Sequence, residues 1–221
     1  MLPALFPPHT AAIFDLDGTL LDSMWVWHAV DTTFFAARGL ALPADYASNI
    51  LSLTFHETAA YTIARFGLKE SAEAVMEEWN RLSYREYRDH VRLKPGARAY
   101  LAALRAQGIR LGVASNLTRR VIDAVLHANG IDDWFGAVTS SDEVTRGKRY
   151  PDVFLRAAQK LGVRPADCVA FDDIAPAMVG IHAAGMTACA VREDGFGRQD
   201  WDEITALADA HILTFEDEDT L

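Results

Sequence analysis

Cysteine is nearly absent from this chain: Cys168 and Cys189 are the only two among 221 residues. Two cysteines cannot build the disulfide framework of a small secreted protein, and each lies in an apolar run where a buried, reduced thiol is expected. No stretch reaches the roughly 18 apolar residues of a membrane span, and the first residues lack the basic and apolar regions of a signal peptide. These absences predict a cytoplasmic protein with no membrane partner.

Basic residues are in the minority, because 21 lysines and arginines face 31 aspartates and glutamates, for a net charge of −10. This balance argues against nucleic acid and anionic membranes as partners. It also makes a divalent cation useful if the substrate is an anion. No G-x-G-x-x-G fingerprint follows the first predicted strand, which argues against dinucleotide binding. No internal repeat is visible, and we expect a monomer, with a dimer as the alternative.

The sequence does contain an alternation of short apolar runs with helical patterns. Half of the residues are hydrophobic, which is enough for a sizeable core. Strands that alternate with helices are typical of a parallel sheet covered on both faces, so we predict a Rossmann-like α/β fold. The predicted strands are 11–14, 109–114, 137–139, 168–171, 187–191 and 211–213, and the predicted helices between them are 97–107, 118–128, 151–161 and 175–184.

Residues 22–91 interrupt this alternation with a helical pattern that contains no buried strand. Asp22 or Ser23 is the expected N-cap of a first helix, and further helices are expected over 54–66 and 71–89. The chain is therefore predicted to have an α/β core domain, formed by 1–21 and 92–221, and a helical domain, 22–91, inserted after the first strand.

Polar side chains follow the predicted strands. Asp15 and Asp17, with Thr19, belong to the segment Phe-Asp-Leu-Asp-Gly-Thr that begins at the end of strand 11–14. Paired acids at a strand end repel each other, so they need a cation or a chemical task. Open α/β sheets bind ligands at the carboxyl ends of their strands, where further polar residues are expected to meet this pair. These are Ser115 with Asn116, Lys148, and Asp172 with Asp173.

Together these residue types match the needs of phosphoryl transfer. A carboxylate such as Asp15 can attack phosphorus if its negative charge is offset, and Asp17 can protonate the leaving oxygen. Mg²⁺ prefers oxygen ligands, which Asp15 and Asp173 can supply, with Asp172 as a neighbour. A lysine and a hydroxyl can hold the phosphoryl oxygens where charge accumulates.

The motifs resemble those of a known family. The order Asp-x-Asp-Gly-Thr, Ser-Asn after a strand, Gly-Lys-x-x-Pro-Asp, and Asp-Asp followed by Gly-Ile-x-Ala-Ala-Gly-Met is similar to that of the haloacid dehalogenase (HAD) superfamily of phosphohydrolases. The helical block resembles the cap domain of the phosphoglycolate phosphatase and β-phosphoglucomutase branch. The resemblance covers nearly the whole chain. It implies an Mg²⁺-dependent phosphatase that hydrolyses a small phosphorylated metabolite through an aspartyl-phosphate.

The resemblance also implies roles for individual residues. The catalytic ones are Asp15, the nucleophile, and Asp17, the general acid and base. The remaining roles are ligand binding: the implied phosphate ligands are Ser115, the backbone N–H of Asn116 and Lys148, and the implied metal ligands are Asp15, the backbone carbonyl of Asp17, Asp172 and Asp173.

Simpler structural roles stay open for several of these residues. Thr19 could only stabilise its turn. Ser115 and Asn116 could cap the following helix, since short polar side chains are preferred there. Asp172 and Asp173 could cap the next helix in the same way.

Three other activities stay open. Sugar phosphomutases of the same branch carry a histidine twelve residues after the nucleophile, where this chain has Trp27, with His28 one residue later. A haloacid dehalogenase needs neither a metal nor an acid for a phosphate leaving group, so Asp17 argues against it. A phospho-acceptor signalling module would have no acid/base two residues after the acceptor and no helical insert.

Overall fold

The computed structural model describes residues 9–50, 55–195 and 201–216. The chain divides into two compact units, one formed by residues 1–24 and 91–221 and the other by residues 25–90. None of the helices among the described residues combines the length and the apolar character that a membrane crossing requires.

The first unit contains a six-stranded sheet whose neighbouring strands are all parallel. Most residues of its central strands are buried and apolar, as is usual for parallel sheets that helices flank. In spatial order they are β5 (Phe135–Ser140), β4 (Arg110–Ser115), β1 (Ala11–Phe14), β6 (Cys168–Asp172), β7 (Thr187–Val191) and β8 (Ala210–Ile212). The predicted Rossmann-like α/β fold is therefore confirmed.

The described residues of the first unit also form a two-stranded antiparallel pair. It joins β2 (Leu21–Asp22) to β3 (Arg92–Leu93), the two segments at which the chain leaves and re-enters this unit. The helices of the unit are α5 (Ala97–Ala106), α6 (Arg119–Ala128), α7 (Asp152–Leu161), α8 (Ala175–Ala183) and α9 (Trp201–Leu207).

The second unit is helical. Its helix α4 (Ala72–Asp89) begins at Ser71, whose Oγ accepts a hydrogen bond from the backbone N–H of Ala74 at 3.2 Å, as expected of an N-cap serine. Trp79 on the buried face of α4 lies 5.4 Å, ring to ring, from Phe34. The other helices are α1 (Val26–Ala36), α2 (Tyr46–Ile50) and α3 (Phe55–Phe66).

The prediction of where the first helix starts was wrong. Asp22 is not an N-cap but lies in β2, where its backbone is paired with Arg92. Helix α1 begins only at Val26, and the residue before it, Trp25, makes no side-chain cap bond. A two-residue strand has no periodicity of its own, so its pairing with the distant segment Arg92–Leu93 could not be read from the local pattern. The predicted helix start at Thr54 lies outside the described residues.

Candidate active site

The site is built on two neighbouring strands, β1 and β6, which run in register. Phe14 is paired with Phe171, and their rings stack with centroids 4.4 Å apart. The backbone N–H of Asp15 donates to the carbonyl of Phe171 at 2.9 Å. Because the strands are parallel and end at the same level, Asp15 and Asp172 lie side by side at their carboxyl ends.

Three buried carboxylates meet at this edge. Asp15, Asp172 and Asp173 each offer one oxygen atom, and these atoms lie within 4.8 Å of one another. Lys148 enters the same group: its Nζ lies 2.6 Å from Asp172 Oδ2 and forms a second ion pair with Asp15 Oδ1. The Lys148 side chain is only 3% exposed. The structure thus brings together four of the residues singled out in the sequence.

The charges in this group are unbalanced. Burial, followed by the charges of Asp172 and Asp15, raises the pKa of Asp173 well above its ordinary value. Burial raises the pKa of Asp172 to about 7, although Lys148 acts to lower it. Burial acts to lower the pKa of Lys148, but the carboxylates of Asp15 and Asp172 outweigh it and raise this pKa. One ammonium therefore does not neutralise three buried carboxylates.

A divalent cation fits this donor set. All three side chains offer hard oxygen ligands, which Mg²⁺ prefers, and a cation would favour the ionised forms that burial and mutual repulsion oppose. The carboxylate cluster therefore passes the chemical test for the metal that the sequence predicts.

Gly18 and Thr19 support Asp173 from the turn after β1. Gly18 has φ +71°, a left-handed conformation that favours glycine, and a Cβ atom there would overlap the carboxylate of Asp173. The buried Thr19 donates from Oγ1 to Asp173 Oδ1 at 3.0 Å. Thr19 therefore contacts a predicted metal ligand, which the local sequence could not indicate because the contact depends on the pairing of β1 with β6.

Asp17 is half-buried, and its side chain is held by Ser23, one of the two residues predicted to begin the first helix. Ser23 is 2% exposed and its Oγ donates to Asp17 Oδ1 at 2.6 Å. This bond fixes one carboxylate oxygen of the predicted general acid. The only sign of this contact in the sequence is a hydroxyl six residues after Asp17, and such a spacing does not predict a hydrogen bond without the fold.

Ser115 and Asn116 lie at the end of β4, the other neighbour of β1. Ser115 is the last residue of that strand and is buried, and its Oγ accepts from the backbone N–H of Leu117 at 3.2 Å. Asn116 follows directly and is exposed. The N-cap of α6 is Thr118, so neither Ser115 nor Asn116 is the capping residue, and their phosphate-binding role stays a prediction.

The loop that carries Lys148 is held on two sides. Arg146 pairs with Asp152 at 2.7 Å and lies 4.5 Å over the ring of Tyr150. From α8, Gly180 approaches the loop so closely that a Cβ atom there would overlap the backbone carbonyl oxygens of Lys148 and Tyr150. The position of the lysine thus depends on a glycine 32 residues later in the chain.

Comparisons with known proteins show what the chain is similar to. Residues 9–185 match the model of a family described as haloacid dehalogenase-like hydrolase. Hexitol phosphatase B from Escherichia coli strain K12 is 29% identical over 194 residues, and the match covers 82% of each chain. The β-phosphoglucomutase of Bacillus subtilis strain 168 is 32% identical over 191 residues, again with 82% of each chain covered.

The fold has solved counterparts. The crystal structure of CbbY from Rhodobacter sphaeroides in complex with phosphate superimposes with a TM-score of 0.75 at 23% identity. The match covers 94% of this chain and 95% of that one. At this identity the likeness speaks for the fold alone.

Proposed function

The chain belongs to the haloacid dehalogenase-like hydrolases, and from this premise we propose that it hydrolyses a small phosphate monoester through an aspartyl-phosphate on Asp15, with Mg²⁺ as cofactor. The observation that carries the proposal is the buried group of Asp15, Lys148, Asp172 and Asp173 at the carboxyl ends of β1 and β6. Such a concentration of carboxylates around one lysine suits a reaction in which an anion is bound and attacked.

In the first step a carboxylate oxygen of Asp15 forms a bond to phosphorus while the bond from phosphorus to the ester oxygen breaks. Asp17 gives its proton to that oxygen, so the alcohol leaves neutral. In the second step Asp17 takes a proton from water, whose oxygen attacks phosphorus and releases Asp15 and inorganic phosphate. The bond from Ser23 Oγ to Asp17 Oδ1 keeps the acid oriented for both transfers.

Asp15, Asp172, Asp173 and the backbone carbonyl of Asp17 would hold Mg²⁺, which would offset the negative charge of the carboxylates and of the substrate. Lys148 carries a positive charge between Asp15 and Asp172 and would contact the phosphoryl oxygens from the same place. Ser115 and the backbone N–H of Asn116 would bind those oxygens from the end of β4.

A sugar phosphomutase is the second candidate, because the Bacillus subtilis relative bears that name. Position 27, where mutases of this branch carry a histidine, holds a tryptophan that is 43% exposed and stacks edge-on against Phe55 at 5.8 Å. An indole ring cannot exchange a proton as imidazole does. Residue 27 therefore supports hydrolysis over phosphoryl transfer to a second sugar hydroxyl.

The proposal is tested by a screen of phosphorylated metabolites with Mg²⁺, scored by released phosphate. Asp15→Asn is expected to lower kcat by more than about 10³-fold, because the amide is no nucleophile. The matched control is Asp133→Asn, which changes an exposed aspartate of the same unit and is expected to keep full activity. Full activity in Asp15→Asn would refute the mechanism.

The two candidate functions are separated by their products. With a hexose 1-phosphate, a phosphatase releases phosphate and free hexose, whereas a mutase accumulates the 6-phosphate. Accumulation of 6-phosphate without free phosphate would favour the second candidate.

A further inference from the structure

Lys94 makes three contacts that the reaction as described does not use. Its Nζ donates to the backbone carbonyl oxygens of Gly18 and of Arg192, the latter at 3.0 Å. It also forms an ion pair with Glu193 Oε2 at 2.6 Å. An ammonium has three donors, so these partners use all of them. The side chains of Lys94 and Glu193 are 16% and 14% exposed, which sets the pair apart from an ordinary surface salt bridge.

The three contacts join segments that are distant in the sequence. Gly18 belongs to the turn directly after Asp17, whereas Arg192 and Glu193 follow β7. Lys94 itself comes directly after β3, and its backbone N–H donates to the carbonyl of Leu20 at 2.8 Å. Lys94 thus contacts the turn of residues 17–20 through both its main chain and its side chain.

The partner carboxylate is itself held in place. Glu193 Oε1 accepts the backbone N–H of Gly195 at 2.5 Å, while Oε2 faces Lys94. Both oxygens of this glutamate are therefore engaged within the first unit. We name this group of Lys94, Gly18, Arg192 and Glu193 the Lys94 tether.

We propose that Lys94 is a positioning residue for the general acid, and this inference rests on the proposed function. Gly18 has φ +71° and no side chain, and glycine is the residue with the greatest backbone freedom. Its carbonyl oxygen accepts from Lys94 Nζ, and this bond fixes the peptide between Gly18 and Thr19, directly beyond Asp17. Lys94 also connects this peptide to the end of β7, so the Asp17 carboxylate keeps its orientation between the two proton transfers.

Ser23 and Lys94 divide this task. Ser23 fixes the side-chain oxygen of Asp17 through its hydroxyl, and Lys94 fixes the backbone of the next residue. Reacting groups must be placed to within a fraction of an ångström, and a misplacement of about 1 Å can cost about 100-fold in rate. Loss of the tether should therefore weaken proton donation to the leaving group more than it weakens phosphate binding.

The test uses Lys94→Met, which keeps an unbranched side chain one atom shorter than lysine and removes its donors and charge. The matched control is Lys160→Met. Lys160 also donates to a backbone carbonyl, that of Val138, at 2.6 Å, and pairs with Glu143 at 2.7 Å. Lys94→Met loses two carbonyl contacts and one glutamate pair, whereas Lys160→Met loses one carbonyl contact and one glutamate pair. Thermal unfolding of each variant measures the loss of stability, so that this difference is taken into account.

The readout is kcat/KM for phenyl phosphate and p-nitrophenyl phosphate, two substrates of similar shape. In a mechanism with a phospho-enzyme, kcat/KM reports the steps up to its formation. Phenolate is the more basic leaving group and depends more on the general acid. Lys94→Met is expected to lower kcat/KM for phenyl phosphate about tenfold more than for p-nitrophenyl phosphate, whereas Lys160→Met leaves the ratio of the two values unchanged.

Each outcome either supports or overturns the positioning role of Lys94. An equal loss on both substrates, or no loss, in folded Lys94→Met overturns the positioning role. If Lys94→Met does not fold, Glu193→Gln is measured instead, since it keeps an oxygen acceptor but removes the charge. A selective loss of about twofold or more on phenyl phosphate then supports the tether, and an unchanged ratio overturns it. Failure of the wild-type enzyme to hydrolyse either compound or any metabolite of the screen would instead refute the proposed function.

Discussion

At the scale of single residues, the chain buries several ionisable groups away from the water that would stabilise their charged forms. In the candidate active site this burial has a proposed function, since Lys148 and a bound cation can offset the negative charge of the carboxylates. Asp31, on α1 of the helical unit, shows the same effect outside that cluster. Burial raises the pKa of Asp31 to about 7. The pKa of Tyr46 is raised to about 12, mainly by burial and in smaller part by the charge of Asp31.

Asp31 is expected to make the stability of the protein depend on pH. A carboxyl group with a raised pKa in the folded state adds stability that is fully present below about pH 4, the ordinary aspartate range, and is lost as pH rises through about 7. Asp31→Asn removes this dependence. We expect the variant to exceed the wild type in unfolding free energy by about 1–2 kcal/mol at pH 8, after discounting for partial exposure, and to gain less at pH 5.

Urea unfolding at the two pH values measures this difference. Asp133→Asn is the control, because it replaces an exposed aspartate. An advantage of Asp31→Asn that stays the same at pH 5 and pH 8 would contradict the assignment.

At the scale of the elements, the sequence predicted what depends on local pattern. The buried runs of β1, β6 and β7 and the amphipathic helix α7 were found because apolar periodicity and glycine stops mark them. The short elements β2, β3, α2 and α9 were missed, because two to seven residues give little periodicity. The contacts of Thr19 and Lys94 were missed for another reason: each depends on how distant segments pair, and no local signal carries that. The contact of Ser23 with Asp17 is local, but a hydroxyl at that spacing is too weak a signal to predict it.

The packing of α8 against the Lys148 loop gives an element-scale prediction. Gly180→Ala favours the helix by up to about 1 kcal/mol in propensity, but the new Cβ would overlap the carbonyl oxygens of Lys148 and Tyr150. Because backbone atoms cannot rotate away, the helix or the loop must shift. We expect a loss of about 1–3 kcal/mol in unfolding free energy and about 100-fold in kcat.

Gly147→Ala provides the matched control for this experiment. It adds the same methyl group next to Lys148, but the new Cβ would meet nothing within 4 Å. We expect kcat of this variant to stay within about threefold of the wild type, since surface changes away from packed features cost little. Steady-state kinetics and thermal unfolding of both variants test the comparison, and equal effects of the two substitutions would show that the close approach of α8 is unimportant.

At the scale of the whole molecule, negative charge is in excess over the chain and is also concentrated in one buried cluster. The net charge of −10 produces a field that attracts cations, and the carboxylate cluster of Asp15, Asp172 and Asp173 lies within that field. A group of like charges in the interior stores unfavourable energy in the folded chain. Metal binding and folding stability should therefore be linked through this cluster.

This linkage predicts opposite effects of one substitution with and without Mg²⁺. Saturating Mg²⁺ should stabilise the wild type by about 2–4 kcal/mol at 100 to 1,000 times Kd, because only the folded chain gathers the carboxylates. Asp173→Asn keeps an oxygen to accept from Thr19 Oγ1 but removes one charge. In EDTA the variant should therefore unfold at a higher temperature than the wild type, whereas Mg²⁺ should raise its Tm little.

Thermal unfolding in EDTA and in excess Mg²⁺ measures all four states, and Asp133→Asn should respond to the metal as the wild type does. If the repulsion among Asp15, Asp172 and Asp173 were absent, Asp173→Asn would gain nothing in EDTA. If the cluster did not bind the metal, the wild type would show no shift. A crossing of the two curves, with the variant more stable without Mg²⁺ and less stable with it, follows only if the same carboxylate both opposes folding and binds the cation.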